Sequence, residues 1–243
     1  MMRHAVMLLV VLSVNPVAYA QSPTRAQLQE QIERSRAELN AKEAQFLEPS
    51  PADQQEYADL VSQPDSGLLR LLPRETFDSR EKLTVNGGGA YYSFSRLTHE
   101  YGYGSDVELY NGELSVGFAG CDYGFVAKLA DQPLRSITLE TPGVAAIAAH
   151  EPPAAEPGAR EQQRRSSTGF IADGVRYASR VPAEVGATYV LRSVNYGSSD
   201  VLVSFRVLRK DDDGSLILAW HLLKSYPKPD LVLAPRPAEG ASN

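Results

Sequence analysis

Cysteine is nearly absent: Cys121 is the only one in 243 residues. No intrachain disulfide can form, so stability must come from a core. Histidine is scarce too, at four residues. A zincin-type helix would need a second histidine three residues after Glu100, and Tyr103 stands there; prolines follow His150-Glu151 at once. Asp211-Asp212-Asp213-Gly214 lacks the alternating acids and the distal glutamate of a calcium loop. There is no G-x-S-x-G elbow, and Gly87-Gly88-Gly89 lacks the lysine and helix of a phosphate loop. These absences leave no expected metal and no expected cofactor. Basic residues are the minority, 24 against 30 acidic ones, for a net charge of −6. Such a balance disfavours a phosphate-backbone partner, so no nucleic acid is expected. No apolar run reaches the length of a transmembrane helix, so no transmembrane segment is expected.

What is present begins with a leader pattern. Arg3 precedes an uncharged, mostly apolar run from Ala5 to Val14, followed by Asn15-Pro16 and the small-x-small pair Ala18 and Ala20. This predicts a signal peptide over residues 1–20, cleaved near Ala20, and a periplasmic or extracellular destination. Residue 21 is glutamine, so a lipid anchor at the new N-terminus is not indicated.

Residues 21–72 read as a helical arm and docking segment. Leu28, Ile32, Leu39 and Phe46 fall on one narrow stripe, interrupted by Ser35 and Lys42 at the other seam positions. Pro49 and Pro51 end the helix, Asp53 to Ser62 adds a short second one, and "SGLLRLL" (66–72) would dock the arm.

Residues 83–226 read as one β-rich domain. Asn111-Gly112 is a hairpin turn, and its two-residue loop places Val107, Leu109, Leu114, Val116 and Phe118 on one face. Asp173-Gly174 predicts a second hairpin, with Ala172 opposite Val175 and Phe170 opposite Tyr177. A meander follows over 188–196, 200–209 and 215–223; Val201, Val203, Phe205 and Val207 share one buried face, as do Leu216, Leu218, Trp220 and Leu222. Segments 90–97, 124–129 and 134–140 add strands. The sum is a mainly β fold, an antiparallel sandwich or barrel of about nine or ten strands preceded by the helical arm. Residues 150–168 read as an exposed excursion with one helical turn, and 227–243 as a disordered tail.

One stretch is unusual. "GGGAYYSFSRLTHEYGYGSD" (87–106) holds four tyrosines, five glycines and a His-Glu pair. Tyrosine combines a rigid apolar face with a hydrogen-bonding tip, and nearby glycines permit close approach. Tyr91, Tyr92, His99, Tyr101, Tyr103 and Tyr123 are therefore the candidate ligand- or partner-binding residues, part-exposed on one patch if the strand bends near Gly102 or Gly104. No motif carries a family signature. The expected function is an exported, non-enzymatic β-domain that binds an envelope protein or a small ligand. The rival is an exported hydrolase with a site around His99, Glu100, Asp106 or Cys121.

The leader pattern makes a direct prediction. Intact-mass measurement of the protein secreted by an expressing bacterium should give a chain that begins at Gln21; a cytoplasmic product that keeps Met1 would exclude export.

Overall fold

The computed structural model describes residues 22–99, 101, 102, 104–129 and 131–234. The expected leader, Glu100 and Tyr103 lie outside the described residues. The chain divides into two units, one ending at Leu39 and one running from Asn40 onward. Helix α1, Arg25–Leu47, passes through that boundary. Its portion up to Leu39 is rich in helix-favouring Ala, Glu, Gln and Arg, with Glu30 and Arg34 ion-paired one turn apart. Leu28, Ile32 and Leu39 are exposed there. No helix among the described residues is long and apolar enough to cross a membrane.

The second unit is mainly β, with eleven strands among the described residues, all paired antiparallel. The larger sheet has five strands: β1 (Ser66–Leu71), β5 (Tyr123–Leu129), β9 (Thr188–Asn195), β10 (Ser199–Lys210) and β11 (Leu216–Ser225), in the order β1-β11-β10-β9-β5. Every residue of β9 is buried, because both faces of this sheet are covered. Tyr189 and Leu191 point to one core, and Val190 and Val194 to another. This is the period-two alternation of a strand with apolar residues at both parities.

The first core is shared with a four-stranded sheet, ordered β2 (Tyr91–Tyr92), β3 (Val107–Tyr110), β4 (Glu113–Ser115) and β8 (Arg180–Pro182). Asn111 (φ 50°) and Gly112 (φ 74°) close the β3–β4 hairpin, and Leu109 pairs with Leu114 as the turn chemistry requires. Val107, Leu109, Leu114 and Val116 pack with Leu69, Val203, Phe205 and Leu218. Phe118 does not join them; it is half-buried and meets Tyr91 edge-on. The second core is covered by the hairpin β6 (Phe170–Ala172) and β7 (Val175–Tyr177) and by helices α4 (Ala145–Ala148) and α5 (Glu156–Thr168). The β6–β7 register is the expected one.

Several segments differ from the sequence reading. Residues 66–71 are not a docking piece but β1, the edge strand beside β11; Leu69 and Leu71 fill the first core. The run Leu68-Leu69-Arg70-Leu71-Leu72 has leucine at both parities, which hides the alternation. Residues 134–140 are not a strand. Leu134 and Ile137 are buried three apart, the spacing of the 3-10 turn Leu134–Ser136 that forms there. The excursion at 150–168 is largely α5, a 13-residue helix against β5. Its buried residues are Ala159 and Ser166, too small and polar to mark a helical face in the sequence. Residues 227–234 are tied back: Gly197 N–H donates to the Pro229 carbonyl, and Val232 bridges Ala155. Strand β8 has no sequence signal beyond Val181.

A buried ion pair joins the layers of the second core. Arg192 on β9 and Asp200 on β10 are 0% and 2% exposed. Arg192 Nε and Nη2 donate to the two Asp200 oxygens, both at 2.8 Å. Its Nη1 donates to the carbonyls of Ile147 (2.6 Å) and Ala148 (3.1 Å) at the end of α4. Its guanidinium lies 3.5 Å from the ring centroid of Tyr226, whose hydroxyl donates to Ala148 O. Burial of the ring, then the same cation and Arg165, push His150 down to about 4, and His150 Nε2 shares a hydrogen bond with the Tyr123 hydroxyl.

Removing one partner leaves the other charge buried and alone. Arg192→Met and Asp200→Leu should each cost about 3–5 kcal/mol in urea unfolding, whereas the double variant should lose far less than their sum. Additive losses would show that the two charges are not energetically coupled.

Candidate functional site

Tyr92, Leu97, Thr98 and His99, from the stretch 87–99, build one wall of a cleft of about 570 Å³. The three glycines come first. Gly87, Gly88 and Gly89 all have positive φ (83°, 61° and 75°), a run that L-residues with side chains resist. Space forbids a side chain as well. A Cβ on Gly88 would lie 2.4 Å from the Phe77 carbonyl, and one on Gly89 would lie 2.3 Å from Leu47 Cδ2. The chain thus threads between α1 and α3 (Arg74–Phe77) before β2.

Strand β2 then stops. The sequence reading extended it from Ala90 to Leu97. Instead the backbone folds back after two residues: Ser93 N–H donates to Thr98 O, and Leu97 N–H to Ser93 O. Leu97 sits on this turn at φ 55°, a conformation that costs a branched side chain of this size about 1 kcal/mol or more. Its side chain is 62% exposed. The return brings His99 beside Tyr92, with ring centroids 5.0 Å apart. His99 Nε2 lies 2.7 Å from Arg70 O. A carbonyl can only accept, so Nε2 carries the proton, and burial holds the ring below its ordinary pKa.

The opposite wall is the last two turns of α1. Glu43, buried, takes the Thr84 N–H and hydroxyl on its two oxygens, both at 2.6 Å. This clamp fixes the helix end against residues 84–85. Leu47 packs on Leu72 and Leu83, and Leu69 of β1 faces the cleft between the walls. The result is a slot of mixed walls, leucines beside polar groups, edged by Leu97, Tyr92 and His99.

The other expected site residues are elsewhere. Tyr91 is buried against Tyr101 (4.5 Å) and Phe118 (5.2 Å). Burial and the neighbouring Glu108 hold its phenol well above the ordinary range. Tyr92 belongs to the first core with Phe94, and burial raises it to about 12. Tyr123 is 1% exposed, in the second core beside Phe125 and Tyr196. Tyrosines 91, 92 and 123 therefore do not form one exposed patch, because each ring fills a different piece of the interior. Glu100 and Tyr103 lie outside the described residues.

The hydrolase candidates are also apart in function. His99 serves Arg70. Asp106, fully buried, accepts from Phe94 N–H (2.8 Å) and Asn195 Nδ2 (2.9 Å), and burial lifts it to about 6. Cys121 is buried beside α5, and burial raises its thiol, the opposite of activation. Among the described residues no group of three His, Cys, Asp or Glu side chains could hold a metal ion. Leu97 was not singled out in the sequence, since it reads there as one more residue of an alternating strand. Comparison with known protein families, with curated sequences and with solved structures finds no match to this chain.

The glycine run has a measurable signature. Gly89→Ala should destabilise the protein by roughly 3 kcal/mol or more, through positive φ and collision with Leu47 together. Gly112→Ala, with the same φ but open space, should cost only about 1 kcal/mol. Equal losses in urea unfolding would remove close approach as the reason for Gly89.

Proposed function

We propose that this chain is an exported, non-enzymatic binding domain, built as a two-layer β-sandwich, whose α1–β1 cleft takes a small apolar ligand. One observation carries this reading. Leu97 holds a strained backbone and an exposed apolar side chain at the edge of an apolar cleft, where folding alone would favour neither. Backbone strain and exposed apolar surface persist when something outside the fold uses them. The cleft volume of about 570 Å³ suits a small molecule, and its walls set Leu47, Leu68, Leu69 and Leu97 beside polar groups that include Glu43, Glu48 and His99. Export rests on the leader pattern at 1–20. The hydrolase reading has less support, because His99, Asp106 and Cys121 each serve a separate neighbour.

Leu97→Gly separates binding from stability. It relieves the positive φ, so unfolding temperature should hold or rise, while the contact with ligand is lost. Saturable binding of the apolar fluorophore 1-anilinonaphthalene-8-sulfonate should weaken about tenfold, the worth of one partly buried leucine. Unchanged fluorophore affinity in this variant would overturn the reading.

A further inference from the structure

Strand β1 is an edge of the large sheet: β11 lies on one side of it, and among the described residues no strand lies on the other. Its backbone groups alternate between the two sides. Leu222 N–H donates to Asp65 O, and the register carries that phase along the pair, so Gly67, Leu69 and Leu71 spend their N–H and carbonyl groups on β11. Those of Ser66, Leu68 and Arg70 turn the other way. Two contacts agree with this direction. Arg70 O accepts from His99 Nε2 at 2.7 Å, and Leu72 N–H donates to Gly89 O at 3.1 Å. His99 and Leu68 both line the α1–β1 cleft, so the outward edge of β1 forms part of its wall. Outside the sheet, neither the N–H nor the carbonyl of Leu68 has a hydrogen-bond partner among the described residues.

These groups decide what can fill the cleft. A purely hydrocarbon occupant would shut a donor and an acceptor away from solvent with no partner, a penalty that works against its binding. An extended peptide answers both. Laid along β1, it sets its own carbonyl and N–H opposite those of Leu68, and its side chains alternate, one set toward Leu47 and Leu97 and the other away from them. The far wall is the last two turns of α1, so the added strand would lie between a sheet edge and a helix. Charge narrows the choice further. No lysine or arginine lines the cleft, and the exposed Glu48 does. An acidic segment or a free carboxyl terminus is therefore disfavoured, and an internal segment that is neutral or basic fits.

We infer that this cleft binds an extended, internal peptide segment with alternating apolar side chains, added to the edge of β1 through main-chain hydrogen bonds to Leu68. The inference rests on the cleft reading above and narrows its ligand to an apolar side chain carried on a strand. The test uses the full folded chain and four blocked peptides, acetyl-Lys-X-Thr-X-Thr-X-Lys-amide, with X leucine, isoleucine, valine or phenylalanine. At least one should displace 1-anilinonaphthalene-8-sulfonate saturably and slow hydrogen exchange at the Leu68 amide about tenfold or more. In an added strand alternate amides face β1, so methylating the amide nitrogens of one parity should weaken that peptide about tenfold or more, and methylating the other parity should not. Leu68→Pro removes the outward N–H and no bond to β11. It should weaken the peptide about tenfold and leave fluorophore affinity and unfolding temperature unchanged. The methylated pair supplies the test should that variant fail to fold. Fluorophore binding with four silent peptides would overturn the strand inference and spare the cleft reading, whereas silence of fluorophore and peptides alike would overturn both. Equal affinity of the two methylated peptides, or peptide binding that leaves exchange at Leu68 unchanged, would also overturn the inference.

Discussion

A guanidinium with no access to water holds the second core together. Arg192 lies on the face of the large sheet that meets α4, α5 and the β6–β7 hairpin, and it binds three elements at once. The carboxylate of Asp200 fixes β9 to β10 across the sheet. The two carbonyls at the end of α4 take its Nη1, which ties the last turn of this four-residue helix to the sheet. Tyr226 closes over the cation and adds its own hydroxyl to Ala148. The pair is costly to bury and specific once buried. Arg192 also adds to the burial that holds His150 below its ordinary pKa.

The first core has a quieter pin of the same kind. Asp106, between β2 and β3 in the chain, reaches Asn195 on β9, so one carboxylate links the two sheets while it caps the Ser93–Phe94 bend with its second oxygen. Apolar packing sets how close the sheets lie. The two polar pins select one lateral placement among the many that apolar side chains tolerate.

The parts of this fold that were legible in the sequence are those fixed by local chemistry. Asn111-Gly112 and Asp173-Gly174 dictate their own backbone angles, and the register then follows from the turn. The β9–β11 meander was legible because its alternation continues over three long strands. Whatever depends on partners distant in sequence was hidden. Strand β1 carries leucine at both parities and is a strand only because β11 lies beside it. Helix α5 buries Ala159 and Ser166, which leave no periodic mark. The tyrosine-rich stretch misled for a related reason. Tyrosines at strand ends look like a surface, but Tyr91, Tyr92 and Tyr123 are buried, and the exposed apolar residue of the stretch is Leu97, in a left-handed turn.

The β1–β11 pairing sets a time order on folding. Ser66 lies opposite His221, and Tyr226 lies over the guanidinium of Arg192. The large sheet therefore cannot gain its outer strand, nor the second core its cover, until nearly the whole chain is available. Loop closure over such a separation makes folding slow relative to a chain of local contacts. Until then β1 lacks its only strand partner among the described residues, and the Arg192–Asp200 pair lacks the cover of Tyr226. The outer strand of the large sheet is thus set by a contact that spans about 150 residues, not by its own neighbours in the chain.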